Sequence, residues 1–158
     1  MKKFIQNKLK DQKGLTLIEL LAVIVIIAII AAIAVPAIGN IIENSRYSAV
    51  KSDATNAIAA ANIYFTENPE GQKKTGMTGV HVEVKELKDK GYLDSQGKLK
   101  DADFLTKTGT GINIKTTAID YSGGKTVTFN SATNQQITGD AQKGSEAGPI
   151  TVPKASAN

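Results

Sequence analysis

The sequence predicts an α+β chain: a long N-terminal α-helix, transmembrane in its first half and amphipathic in its second, packed against a small antiparallel β-sheet head. Three observations carry this. From Leu20 to Val35 every residue is Leu, Ala, Val or Ile. Beyond it, Val50, Ala54, Ala57, Ile58, Ala61 and Phe65 recur at three- and four-residue spacing, with Glu43, Arg46, Lys51, Asp53 and Asn56 mostly between them, the period of a helix with one buried face. From Gly111 the composition turns β-like: Thr is abundant, and Ile112, Ile114, Ile119, Tyr121, Val127, Phe129 and Ile137 are the large apolar side chains.

Length and composition bound the rest. At ~100 to 200 residues per domain, 158 residues allow one domain or a small domain with an appendage, and the uneven apolar distribution favours the second. With no cysteine, disulfide scaffolds, cysteine zinc sites and thiol nucleophiles are excluded. The absence of Trp, with only four Phe and four Tyr, leaves little to line an aromatic pocket. The net charge of +4 sits at the front, where Lys2, Lys3, Lys8, Lys10 and Lys13 face only Asp11, and the remainder is balanced. No specific nucleic acid partner is predicted from that charge.

Leu15 to Ile38 is long enough to cross a bilayer, since 20 helical residues at ~1.5 Å each cover a hydrocarbon layer of ~30 Å. The basic stretch before it is the expected cytoplasmic flank and places the C-terminal part outside. A conventional signal peptide is the rival, with Ala32-Ile33-Ala34 as its cleavage site. Glu19 argues against the rival. A carboxylate in such a helix costs about 2.5 kcal/mol or more near the bilayer centre, less towards the headgroups, and a disposable signal has no use for it.

Lys13-Gly14-Leu15-Thr16-Leu17-Ile18-Glu19-Leu20 resembles the processing motif of type IV pilins and pseudopilins, in which a membrane peptidase cuts after the Gly and methylates the new N-terminus. The resemblance implies cleavage after Gly14 and N-methylation of Leu15. It puts Glu19 fifth in the mature chain, where the family has its glutamate, and Pro36 twenty-second, where the family commonly has a helix-bending proline. Leu15 departs from the Phe or Met of many members, conservatively for an apolar anchor. The resemblance covers Lys13 to about Phe65. It implies that Glu19 pairs with the N-terminus of a neighbouring subunit, answering the need of a buried ion for a counter-charge, while the surrounding aliphatics form a filament core.

The amphipathic continuation reaches about Glu67, so the mature helix of ~53 residues would span ~80 Å. Pro36 and Gly39 mark a bend, or alternatively the end of the membrane helix, because proline removes a helix hydrogen bond and glycine lowers helix propensity. Asn68-Pro69-Glu70-Gly71 stops the helix. Residues 72–79 read as a loop. Val80, Val82 and Val84 alternate like a strand, while 83–90 before Gly91 reads as a short helix, which is favoured from Val84. Gly91-Tyr92-Leu93-Asp94 then turns into the sheet and resembles the head connection of Gram-positive pilins and competence pseudopilins. Strands are expected at about 111–120, 125–130 and 134–139, with Ser122-Gly123-Gly124-Lys125 as a hairpin turn. The chain therefore divides into a leader (1–14), a transmembrane and filament-core helix (15–38), an amphipathic half (39–68), a head (69–139) and a flexible tail (140–158).

Catalytic and metal residues are not predicted, and neither is a cofactor. His81, the one histidine, reads as a surface or packing residue in a loop-to-helix segment. Asp101 and Asp103 have a spacing compatible with Ca²⁺, and some pseudopilins bind calcium, but solvated loop carboxylates are commoner. Gly109 and Gly111 lack the strand-to-helix setting of a phosphate loop. Lys73-Lys74 and Lys85, Lys88 and Lys90 read as a solvated face beside Glu83, Glu86 and Asp89.

The expectation is a non-enzymatic pilus subunit: a cytoplasmic-membrane precursor that becomes part of an extracellular pilus for adhesion, motility, biofilm formation or DNA uptake. Its implied partners are other pilin subunits, a prepilin peptidase and methylase, the assembly platform and minor pilins. A pseudopilin of a competence or type II secretion-like apparatus is the alternative within the fold. A secreted binding domain with a conventional signal peptide is the alternative outside it. Lack of the cysteines that close the C-terminal loop of many Gram-negative pilins points to a Gram-positive source.

Overall fold

A single helix, α1 (Lys2–Glu67), dominates the computed structural model, which describes residues 2–71, 79–146 and 148–154, with side chains from Thr16 onward. Pro36 lies inside α1 and does not end it, so the helix does not stop at the membrane segment. By their internal contacts the residues fall into two units, Met1–Asn40 and Ile41–Asn158.

In the first unit the side chains from Leu17 to Ile38 face outward, with Ile33 71% exposed. The second unit contains the core. Its stretch of α1 buries Tyr47, Val50, Ala54, Ala57, Ile58, Ala61, Tyr64 and Phe65, one stripe at helical period, as the spacing predicts. α1 ends at Glu67, before Asn68, whose amide nitrogen and side chain both donate to the Tyr64 carbonyl at 2.8 and 3.0 Å.

Val80 to Asp89 satisfies both of its sequence signals in succession. β1 (Val80–Glu83) uses the alternating valines, and α2 (Val84–Asp89) follows at once. Gly91 supplies the positive φ of 78° that lets the chain leave the helix. The expected loop overlaps residues 72–78, which lie outside the described residues, as do Lys73 and Lys74.

The head has two sheets. In the first the order is β1-β2-β3-β6, adding β2 (Phe104–Thr108), β3 (Gly111–Lys115) and β6 (Ala132–Thr133), all antiparallel. Register pairs Val82 with Leu105 and Leu105 with Ile114, so that one face is apolar and buried. In the second sheet the order is β4-β5-β7, from β4 (Ile119–Ser122), β5 (Lys125–Phe129) and β7 (Ile150–Val152). The hairpin expected at Ser122–Lys125 joins β4 to β5, with positive φ at both Gly123 and Gly124, as a tight turn between twisted strands requires.

Three sequence readings are corrected. The strand expected over 111–120 is two strands in different sheets. Thr116 breaks it, donating its amide to the Phe129 carbonyl and accepting the Phe129 amide on its hydroxyl, at 2.9 and 3.0 Å. The strand expected over 134–139 is a helix, α3 (Asn134–Thr138), started by a capping box in which Thr133 and Gln136 exchange side-chain-to-backbone hydrogen bonds. The flexible tail expected over 140–158 contains β7, which pairs parallel to β5 and buries Ile150 and Val152. β2 was not anticipated from sequence at all.

Phe129, fully buried in β5, ties the two sheets through Thr116. Phe129→Ala is expected to cost about 3 to 5 kcal/mol, measured by chemical denaturation of the detergent-solubilised chain; a loss under 1 kcal/mol would place the core elsewhere.

Candidate functional site: the N-terminal apolar helix

The site is a surface rather than a cavity. Between Leu17 and Ile42 the large aliphatic side chains are 46% to 71% exposed, a contiguous apolar patch far larger than soluble monomers ordinarily show. Among the described residues one helix, Thr16–Glu67, is long and apolar enough to cross a membrane. Between 17 and 42 half of its residues are β-branched, which weakens isolated helices in water but suits an element whose backbone must satisfy itself in lipid.

Glu19 is the one carboxylate among these aliphatics, and it is exposed. It lies four residues after Leu15, hence on the same helix face one turn along. Gly14 and Leu15 lie within α1, their side chains outside the described residues. Around Gly39 a methyl group would meet nothing within 4 Å, so glycine there lowers helix propensity without relieving any contact.

A family model of the prokaryotic N-terminal methylation motif matches residues 9–35. The chain carries the N-terminal motif of type IV pilin-type precursors. The pilin-type motif and the exposed helix together fit a membrane-anchored precursor, and the α+β head on the second half of α1 is pilin-like. Such a motif implies processing by a prepilin peptidase and pilus-type assembly in general. No curated protein and no solved structure matches the chain.

The remaining polar residues singled out in the sequence have structural roles. His81 sits in β1 rather than in a loop-to-helix segment. It is buried, with Nδ1 2.8 Å from Thr106 Oγ1 and its ring edge-on to Phe104. Asp103 is buried and organises a turn: Oδ2 accepts the Lys100 amide at 2.7 Å and Oδ1 the Thr117 amide at 2.9 Å. Asp101 accepts from Gln96 Nε2 at 2.9 Å, so the two carboxylates serve different donors and do not converge. Gly109 and Gly111 border the β2–β3 hairpin. Among the described residues no group of three or more His, Cys, Asp or Glu could hold a metal.

Glu86 joins α2 to the end of α1, accepting from the Tyr64 hydroxyl at 2.9 Å and pairing with Lys90 at 2.8 Å. Burial tends to raise its carboxyl, but the hydrogen bonds from Lys90 and Tyr64 and the Lys90 charge outweigh it and hold it below the usual range. A depressed folded value stabilises the fold above the unfolded value, and that contribution is lost as pH falls through the folded one. The stability gap between wild type and Glu86→Gln is therefore expected to be full above about pH 4.3, the ordinary Glu value, and to shrink below it. Urea titrations across that range check it; a gap independent of pH would remove the ion pair from the picture.

Proposed function

We propose that this chain is the structural subunit of a type IV pilus, cleaved after Gly14, N-methylated at Leu15 and polymerised through its apolar helix into a surface filament. The observation that carries the reading is Glu19, a carboxylate placed among exposed aliphatics one turn from the processing position. Cleavage makes Leu15 the start of the helix, with a positively charged amine added to the partial positive charge of the helix end. Packed among aliphatics, that amine needs a counter-charge, and Glu19 of an adjacent copy supplies it. The pair sets axial register, and aliphatic packing supplies the cohesion at roughly 1.5 to 3 kcal/mol per side chain moved from water to an apolar interior.

In this reading the role is structural rather than catalytic. Other copies of the chain, a prepilin peptidase and methylase, an assembly platform and minor pilins are its partners. The filament serves adhesion, surface motility, biofilm formation or DNA uptake. Its subunits begin in the cytoplasmic membrane and end outside the cell.

Glu19→Ala is expected to leave the precursor inserted and processed while cutting filaments recovered by shearing at least tenfold; wild-type yield from that variant would sink the pairing. Gly14→Val is expected to retain the basic leader, seen as a larger band on gels, with no filament formed. Filaments assembled from uncleaved Gly14→Val subunits would show the processing position to be wrong.

A further inference from the structure

The residues after α3 do not simply run along the surface of the second unit; they are wedged between α1 and the second sheet. Asp140 Oδ2 accepts the Tyr47 hydroxyl at 2.6 Å and lies 3.5 Å from Lys51 Nζ, which also donates to the Asp140 carbonyl at 2.9 Å. The Ser145 amide donates to Asn44 Oδ1 at 2.9 Å. On the other side, the Tyr121 hydroxyl of β4 donates to the Gly144 carbonyl at 2.9 Å. Lys125 of β5 bridges both neighbours, donating to the Ser145 carbonyl at 2.9 Å and pairing with Glu43 at 2.6 Å. A Cβ on Gly144 would lie 2.6 Å from both the Glu43 carbonyl oxygen and Tyr47 Cβ, a separation side chains do not tolerate. The segment then enters β7, which completes the sheet beside β5.

We propose that residues 140–146 and β7 form a clasp that closes the head in a second step. The first step is the docking of β1, β2 and β3 on α1, which uses residues up to 115 and the helix face from Val50 to Phe65. The second sheet meets α1 directly at the Tyr47–Tyr121 ring pair, 5.5 Å between centroids, at the Lys125–Glu43 ion pair and at a 3.3 Å hydrogen bond from Arg46 to Ser122 Oγ, and the clasp adds the Tyr47, Lys51 and Asn44 contacts to these. Its two strands β4 and β5 alone are a hairpin, which is marginal without further strands or packing. β7 and the polar anchors supply both. Since these contacts hold residues 140–146 against the helix, the docked second sheet forms only when that segment folds back on residues 43–51. Polar contacts and one glycine close approach do this in a chain without cysteine. The inference is independent of the filament reading.

Hydrogen exchange followed by mass spectrometry on the full chain in detergent micelles tests it, with Gly144→Val and Asp140→Ala as variants. Local openings expose the elements that separate together. In Asp140→Ala, exchange in 119–129, 140–152 and the helix near 43–51 is expected to rise by about tenfold or more. Exchange in 80–89, 104–115 and 54–65 is expected to stay within about twofold of wild type. Gly144→Val is expected to give the same pattern more strongly. Should Gly144→Val unfold the whole head, Asp140→Ala decides. A rise spread over both sheets in Asp140→Ala, or no rise in 119–129 and 140–152 in either variant, would overturn the clasp.

Discussion

Among the described residues the large aliphatic side chains of the run from Leu17 to Ile42 are exposed, and exposed apolar surface of that extent is strongly unfavourable in water. The chain's biology follows from this constraint. Such a run calls for lipid or an apolar partner surface, and in the proposed filament a single residue, Glu19, makes those two environments unequal. Lipid offers a carboxylate no partner. In the proposed filament a bundle of processed copies would offer one ammonium for each carboxylate, so that the residue that is costly in the bilayer would give direction and register to assembly.

The second half of α1 resolves a different problem. It buries one stripe against the head and leaves small and polar residues such as Ser45, Ser52 and Asn56 outside. Two modest sheets, of four and three strands, share that helix as a common backing. Thr116 holds the seam between them by exchanging hydrogen bonds with Phe129, and Asp103 holds the turn beside it. No covalent link is needed because each sheet has its own line of contact with α1.

What sequence could reveal tracks how local the determining physics is. The apolar run, the helical stripe of Val50 to Phe65 and the Gly123-Gly124 turn are legible because period and turn chemistry act over a few residues. The pilin-type motif is legible for the same reason: Gly14 and Glu19 stand five residues apart within the matched residues 9–35. α3 was legible too and was misread. Ile137 suits a strand by composition, but Thr133 and Gln136 stand three apart as a capping box and start a helix there. β7 and the clasp were not legible. Gly-, Ala- and Ser-rich composition over 140–149 resembles a mobile tail. What orders it is Tyr47 meeting Asp140 and Asn44 meeting Ser145, pairs too distant in sequence for any local pattern. β2 is not legible because its fully buried contribution is one side chain, Leu105, beside the half-buried Phe104 in a strand otherwise made of two Thr and a Lys.

The most direct test of the central claim is the mass and sequence of the N-terminus of the protein recovered from sheared cell-surface material. A chain beginning at N-methylated Leu15 is the expected result, and it leaves Glu19 as the fifth residue of the assembled subunit. A chain beginning at Val35 would mean that the apolar helix is discarded at secretion, and the filament built on it would have no basis.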